Sequence, residues 1–269
     1  MKKILAGLVI GGGLLIKSYY DTNVWKINRL SIGTDRLKDE TFRLVQLTDI
    51  HNKIFFNQYT RLLQKIINFH PDLIVLTGDL IDRKTKDFSG ILAFVEQLVK
   101  SHQHVYFVSG NHEWDHPRGG EEFINSLRQR NVKLLDNKRE IVKLKRCQIC
   151  LVGVADAATG NDQLTESLFI KEGYRILLSH SPEIINRKAA KLADLILCGH
   201  THGGQIRLPF LGAIISPDQG LFPSLDKGIF QHEKGKYLYI DSGLGTTRLP
   251  IRFLNQSQLS FLTIYGTNR

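Results

Sequence analysis

Cysteine is scarce, three residues in 269, and none of the three supports a disulfide framework. Cys147 and Cys150 have the spacing of a redox or zinc pair. The run Cys147-Gln-Ile-Cys-Leu-Val-Gly153 reads as a strand, however, and residues three apart in a strand point to opposite faces. Cys198 also falls within an apolar strand-like run, so all three read as core thiols. No basic stripe interleaved with aromatic residues is present, which argues against a nucleic-acid interface despite a formal net charge of +10. That charge fits an anionic partner, such as a phosphorylated substrate or an acidic lipid surface, or else a diffuse solubilising surface. The densest basic run is Lys138, Arg139, Lys143, Lys145 and Arg146. It favours the solubilising reading locally, because Lys143 and Lys145 alternate with apolar residues as on the wet face of a strand. There is no internal repeat, and nothing points to a protein partner.

The chain also has little that resembles a full membrane span. Ile4–Ile16 is free of charge, but it falls short of the ~20 residues a spanning helix usually needs and suits a signal-peptide core. Neither a small-x-small cleavage site nor a twin arginine accompanies it. The expectation is an uncleaved anchor over residues 1–20 that holds the protein to a cell membrane, with Tyr19, Tyr20 and Trp25 at the interface. A buried or fraying helix is the competing reading, which Gly11-Gly12-Gly13 disfavours. Lys2 and Lys3 on one side face Lys17, Lys26 and Arg29 on the other, which leaves the side of the membrane open. Residues 21–41 read as a linker and residues 42–269 as one domain.

From residue 42, strand and helix patterns alternate. Helical patterns cover 57–69, Ser89–Val99, Glu121–Arg130 and Ser181–Leu192, the last opened by Ser181-Pro182-Glu183 as cap and first turn. After residue 200 the pattern changes to short strands and turns, including Lys236–Ile240 and Leu259–Ile264. Five apolar runs end on polar residues of one kind. Phe42–Leu47 leads into Asp49-Ile50-His51, and Leu73–Thr77 leads into Gly78-Asp79-Leu80-Ile81-Asp82. Val105–Ser109 leads into Gly110-Asn111-His112-Glu113, Tyr174–Ser179 into His180, and Asp194–Cys198 into Gly199-His200-Thr201-His202. Open α/β sheets bind ligands beyond the carboxyl ends of their strands, so these ends point to one site.

As an ordered set, Asp-x-His, Gly-Asp-x-x-Asp, Gly-Asn-His-Glu, His and Gly-His-x-His resembles the calcineurin-like metallophosphoesterases from about residue 42 onward. The resemblance implies an α/β fold of two packed mixed β-sheets flanked by helices, with two divalent metal ions. By motif match, Asp49, His51 and His202 would hold one ion and Asn111, His180 and His200 the other, with Asp79 bridging. Mixed nitrogen and oxygen ligands suit Mn²⁺, Fe or Zn²⁺ better than Ca²⁺ without naming the ion. The pair would lower the pKa of the attacking water and neutralise the phosphoryl charge. His112 would contact the phosphate and protonate the leaving oxygen, a role worth typically ~10²–10⁴-fold. Asp82 and Glu113 would stand behind, orienting histidines or backbone. Asp156, ending the run Leu151–Ala155, either reaches the site or forms a turn, the commoner role. His70, His102, His104, His116 and His232 match no motif and read as surface or loop residues.

Asp82-Arg83 together with Gly110-Asn-His-Glu113 is similar to the Ser/Thr protein phosphatases, in which the arginine binds phosphate. Lys84 stands where those enzymes carry glycine, however, and no glycine follows His51. Gly199–Gln205, Leu208–Gly212, Gly220–Phe222 and Ser242–Thr246 with Pro250-Ile-Arg252 look like the membrane-associated bacterial phosphodiesterases of the YkuE/YaeI type, which are related to UDP-2,3-diacylglucosamine pyrophosphatases. This implies hydrolysis of a phosphodiester or pyrophosphate in a lipid-linked or nucleotide-linked substrate. A soluble nucleotide phosphodiesterase would make the N-terminal run incidental. A membrane-tethered binding module on the same fold is the non-enzyme alternative, and the complete ligand set weighs against it. Ile206–Ile215 and Leu221–Leu225 are unusually apolar. They read either as one more hairpin completing the sheet or as a lip of Leu208, Phe210, Leu211 and Phe222 facing a bilayer.

Overall fold

The computed structural model describes residues 1–55, 59–117, 119–145 and 147–267. The first sheet is built from β1 (Lys26–Thr34), β2 (Thr41–Leu47), β3 (Leu73–Thr77), β4 (Val105–Val108) and β5 (Lys133–Leu134). The second begins with β6 (Lys138–Lys143), β7 (Gln148–Gly153), β8 (Tyr174–Leu178) and β9 (Leu195–Cys198). Four two-residue strands, β10 (Arg207–Leu208), β11 (Gly212–Ala213), β12 (Ile215–Ser216) and β13 (Gly220–Leu221), form two hairpins outside both sheets. Then β14 (Gly228–Glu233) and β15 (Lys236–Ile240) join the second sheet and β16 (Gln258–Gly266) returns to the first. The two six-stranded orders are β1-β16-β2-β3-β4-β5 and β14-β15-β9-β8-β7-β6. The inner strands β2-β3-β4 and β7-β8-β9 pair in parallel, so their carboxyl ends share one direction within each sheet.

The α/β sandwich with two mixed sheets is the one the motifs imply. Strands buried on both faces read as continuous apolar runs, and β3 and β8 are buried along their whole length. Leu44, Val75 and Tyr106 of the first sheet share one core with Leu151, Ile176 and Leu197 of the second. The opposite face of the first sheet, including Val45, Ile74 and Phe107, packs on Leu62 and Ile66 of α2 (Thr60–Phe69, after α1 at Lys2–Asn23), on Phe94 and Leu98 of α3 (Ser89–Ser101), and on Phe123. Phe123 lies on α5 (Gly120–Gln129), which follows the single turn α4 (Asn111–Trp114). The outer face of the second sheet, with Cys150, Leu177 and Ile196, is covered by Ile184 and Ala190 from short 3₁₀ turns. Cys150 thus lies on the outer side, while Cys147 packs toward the inner core.

Several expectations are corrected. Residues 21–41, read as a linker, contain β1, which pairs in parallel with β16 from Lys26↔Gln258 to Thr34↔Gly266. Its apolar alternation is diluted by Lys26, Asn28, Arg29 and Ser31, and its partner lies at the far end of the sequence. The single helix read over Ser181–Leu192 is two 3₁₀ segments, because Arg187 is extended (φ −75°, ψ 132°) and its guanidinium reaches across to Asp162 at 2.8 Å. The helix read over 57–69 is described from Thr60; Asn57 lies outside the described residues, as does Arg146 of the basic run. The N-terminal apolar run is extended by its flanks to a 22-residue helix, about 33 Å long at 1.5 Å per residue. By length and composition α1 could cross a membrane, and its apolar side chains are exposed. Only its last turn meets the domain. Asp21 and Thr22 are buried, the Asp21 carbonyl accepts from Ser257 N–H at 2.8 Å, and the Thr22 hydroxyl oxygen accepts from Arg252 N–H at 2.7 Å.

Candidate metal centre

The loops leaving β2, β3 and β4 meet those leaving β8 and β9 in sharply bent backbone. Five of the seven candidate ligands, Asp49, His51, Asp79, His200 and His202, have φ between 50° and 71°. That left-handed region costs non-glycine residues free energy and persists only where the surroundings impose it. At Asp79 the Glu113 carboxylate braces it, accepting from the N–H groups of Asp79 (2.9 Å), Leu80 (2.8 Å), Ile81 (3.3 Å) and Gly110 (2.8 Å). Burial and the neighbouring Asp79 push the Glu113 pKa up to about 8, against the pull of those N–H groups. All four contacts are donors, which is the geometry of the anion. Two glycines admit the close approach of backbone to ligand. A Cβ on Gly110 would sit 2.2 Å from Asp79 Oδ1, and one on Gly199 would sit 2.3 Å from Asp49 Oδ2.

The candidate ligand atoms fall into two clusters. In one, His51 Nε2 and His202 Nε2 are 3.1 Å apart, and Asp49 Oδ1 lies 3.9 and 3.3 Å from them. In the other, His200 Nδ1 lies 3.0 Å from Asn111 Oδ1 and 3.1 Å from His180 Nε2. Asp79 Oδ2 stands between the clusters, 3.2 Å from His180 Nε2 and 3.7 Å from His51 Nε2.

The placement of protons decides what fits there. His180 Nδ1 donates to the Thr77 carbonyl at 2.8 Å, and His200 Nε2 faces Asp218 Oδ2 at 2.5 Å. With those outer nitrogens donating, the inner nitrogens of the two rings, 3.1 Å apart, are the ones left to face a ligand. Such an arrangement is favourable around a cation, whose ligands at ~2.0–2.2 Å stand roughly 3 Å apart. Burial pushes the His51 pKa down to about 3 and holds His202 well down, favouring the neutral imidazole that binds metals. Burial also lowers His180, but Asp79, Asp49 and Asp156 outweigh it, so the carboxylates attract positive charge to this point.

His112 borders the same space. Arg83 meets both ring nitrogens, its N–H 3.2 Å from Nδ1 and its guanidinium Nη1 3.3 Å from Nε2, and Nε2 lies 3.9 Å from Asp79 Oδ2. Burial lowers the His112 pKa, with Asp79 acting against it. Asp82 Oδ2 lies 3.4 Å from His112 Nδ1 and 3.9 Å from His51 Nδ1. Arg83 pairs with Asp115 at 2.6 Å and lines, with His112, Asn111, His200 and Arg248, a cavity of about 190 Å³. Asp156 forms a turn, accepting from Thr159 N–H at 2.9 Å. It also senses the centre, since burial raises its pKa while His180 and His200 lower it.

The sequence pattern of the calcineurin-like phosphoesterases matches residues 42–204. The chain belongs to that family. Curated relatives of this phosphoesterase include the uncharacterized metallophosphoesterase YkuE of Bacillus subtilis, 28% identical over 97% of this chain and 93% of that one. Another is an uncharacterized metallophosphoesterase of Aquifex aeolicus, 28% identical over 93% of this chain and 95% of that one. Among solved structures, a 5'-nucleotidase precursor from Thermus thermophilus superposes with a TM-score of 0.51 at 14% identity, over 84% of this chain and 54% of that one. At that identity the likeness is one of fold, and this phosphoesterase spans about half the length of the nucleotidase. Its family and its clustered Asp and His residues make it a metal-dependent phosphoric ester hydrolase whose site suits two divalent ions.

Sequence reasoning missed three residues of the phosphoesterase centre. Asp218, at the tip between β12 and β13, reaches His200 from a loop with no motif of its own. Arg252 is fully buried and donates to the carbonyls of Gly245 (2.9 Å), Ser242 (2.6 Å) and His202 (3.4 Å). Asn255 donates to the same His202 carbonyl at 2.6 Å. Only Arg252 left a signal, as a cation in the Pro250-Ile-Arg252 stretch.

Proposed function

We propose that this phosphoesterase hydrolyses a phosphodiester or pyrophosphate bond in a lipid-linked or nucleotide-linked substrate. Asp49, His51 and His202 would hold one ion, Asn111, His180 and His200 the other, and Asp79 both. The observation that carries the ligand assignment is the position of Asp79 Oδ2, within 3.7 Å of His51 Nε2 and 3.2 Å of His180 Nε2. Two divalent ions bound there supply a water of lowered pKa and neutralise charge on the phosphoryl group.

The chain's own residues do the rest. Asp79 Oδ1 accepts from His112 N–H at 2.9 Å, so the backbone that carries His112 also fixes the carboxylate between the clusters. His112 lines the cavity, and as the imidazolium, held beside Asp82 and Asp79, it would pass its Nε2 proton to the leaving oxygen. Asp82, beside Nδ1, favours the imidazolium when the ring is protonated again. Arg83 and Arg248 offer guanidinium donors to phosphate oxygens. Glu113 holds backbone and touches no reacting atom. The lipid-linked reading is supported by α1 and by a hollow of about 300 Å³ that runs from His112 past Arg83 and Lys84 to Leu249 and Pro250.

The test is metal analysis together with hydrolysis of bis-p-nitrophenyl phosphate, p-nitrophenyl phosphate and a UDP-linked acylated sugar. The expected result is two ions per chain, loss of activity on chelation with recovery in Mn²⁺ or a neighbouring transition ion, and preference for the diester or pyrophosphate. Full activity in chelated protein would overturn the mechanism, and preference for the monoester would overturn the substrate class.

A further inference from the structure

The two hairpins outside the sheets carry the most exposed aromatic side chains among the described residues of the domain. Phe210 is fully exposed in the turn between β10 and β11, and Leu211, Leu221 and Phe222 are each more than 60% exposed. Both phenylalanines have left-handed backbone, φ 67° at Phe210 and 52° at Phe222. Bulky residues rarely adopt that conformation. Here it does not bring either ring into the core.

The turn with Phe210 and the open end of the second hairpin, where Phe222 N–H donates to the Ile214 carbonyl at 2.9 Å, adjoin a third segment. Arg207 N–H donates to the Phe253 carbonyl and Phe253 N–H to the Gln205 carbonyl, both at 3.0 Å. The Gln205 side chain donates to the Leu249 carbonyl at 3.1 Å, and Leu249 and Ile251 are exposed as well. The next residue, Arg252, donates its backbone N–H to Thr22, so α1 leaves the domain where this segment ends. The rim these segments make reaches the metal cavity, whose lining includes Pro217 and Asp218 from one hairpin and Thr247 and Arg248 from the third segment.

We infer that this rim is a membrane-docking surface. Phe210, Leu211, Leu221 and Phe222 enter the headgroup region of an anionic bilayer, and the metal cavity receives a lipid phosphate from that interface. Aromatic and leucine tips beside arginines are the chemistry that settles at an anionic interface. A bilayer is favoured over a second copy of the chain because the exposed apolar helix leaves from the same rim and because the net charge is +10. The inference rests on the phosphoesterase reading only for what the docked cavity does.

The test uses the full chain reconstituted in vesicles of phosphatidylglycerol and phosphatidylcholine, with Phe210→Trp and Phe222→Trp made singly. The native Trp25 and Trp114 set the baseline. Brominated acyl chains are expected to lower the added emission at least about twofold, since an interfacial indole lies within reach of the acyl region. No quenching at either position overturns the docking, and a concentration-dependent blue shift without quenching overturns it in favour of self-association. In a second arm the F210S/F222S double variant is expected to keep turnover of soluble bis-p-nitrophenyl phosphate. Its turnover of a headgroup-labelled phosphodiester lipid in vesicles should fall roughly tenfold, because two apolar anchors are lost. Equal turnover of the vesicle lipid by variant and parent also overturns the proposal. If the parent fails on the soluble diester while the tryptophans are quenched, the catalytic reading falls and the docking stands.

Discussion

The two sheets match in strand number and differ in what backs them. The first leans on α2, α3 and α5, whereas the second is covered by 3₁₀ turns and loops. Their gifts to the centre differ in the same way. The helix-backed sheet supplies Asp49, His51, Asp79, Asn111 and His112, and the lightly covered one supplies His180, His200 and His202. Burying a carboxylate is costly unless N–H groups face it, and both halves supply them, His112 N–H to Asp79 and His200 N–H to Asp49. Each candidate cluster draws on both sheets, so a metal bound there would be a cross-tie between a helix-backed half and a lightly covered one.

The strongest way to break that comparison is Asp79→Ala. We expect both clusters to lose affinity and diester hydrolysis to fall to background, read by metal analysis and turnover; a variant that still binds two ions per chain removes the shared oxygen from the scheme. His112→Ala should keep both ions and lower kcat by about 10²-fold or more. The loss should be smaller for nitrophenyl than for alkyl leaving groups, and equal losses would make His112 a binding residue only. Asp218→Asn sharpens the comparison on the lightly covered side, where we expect about 10–100-fold weaker metal binding confined to the cluster that contains His200. Weakening of both clusters alike would refute a local role. The smallest effect is on dynamics. On chelation, amide exchange should quicken in 199–205 and 242–247 more than in β3 or α3, and uniform protection loss would deny the cross-tie.

The grouping of the candidate residues was legible because each motif is local: an apolar run, a bend, and an Asp, Asn or His within three residues of it. The inner strands were legible for the same reason, since burial on both faces writes a continuous apolar run into β3 and, broken only by Arg175, into β8. What escaped depends on distance. β1 looks like a linker because half its residues are polar and the strand that pairs with it begins at Gln258. Asp218 reaches His200 across a hairpin whose only local signal was apolar, and Arg187, where the helical pattern breaks, pairs with the distant Asp162. The hairpin reading of Ile206–Ile215 was right about local pairing, but β10–β13 complete neither sheet and leave their apolar tips outside.

The position of β16 has a consequence for how the protein is made. Residues 258–266 lie between β1 and β2, two strands that emerge from the ribosome more than 200 residues earlier. Until that last strand is translated, β1 has no sheet to join and the neighbouring edge of β2 is bare. The helix-backed half therefore cannot close before residues 258–266 have emerged, however early its own helices form. Loop-closure entropy across such a span slows the final step, and an unpaired edge invites other strands. Nascent chains stalled before residue 258 should consequently be protease-sensitive throughout the first sheet, and a shortened C-terminus should cost solubility before it costs any ligand.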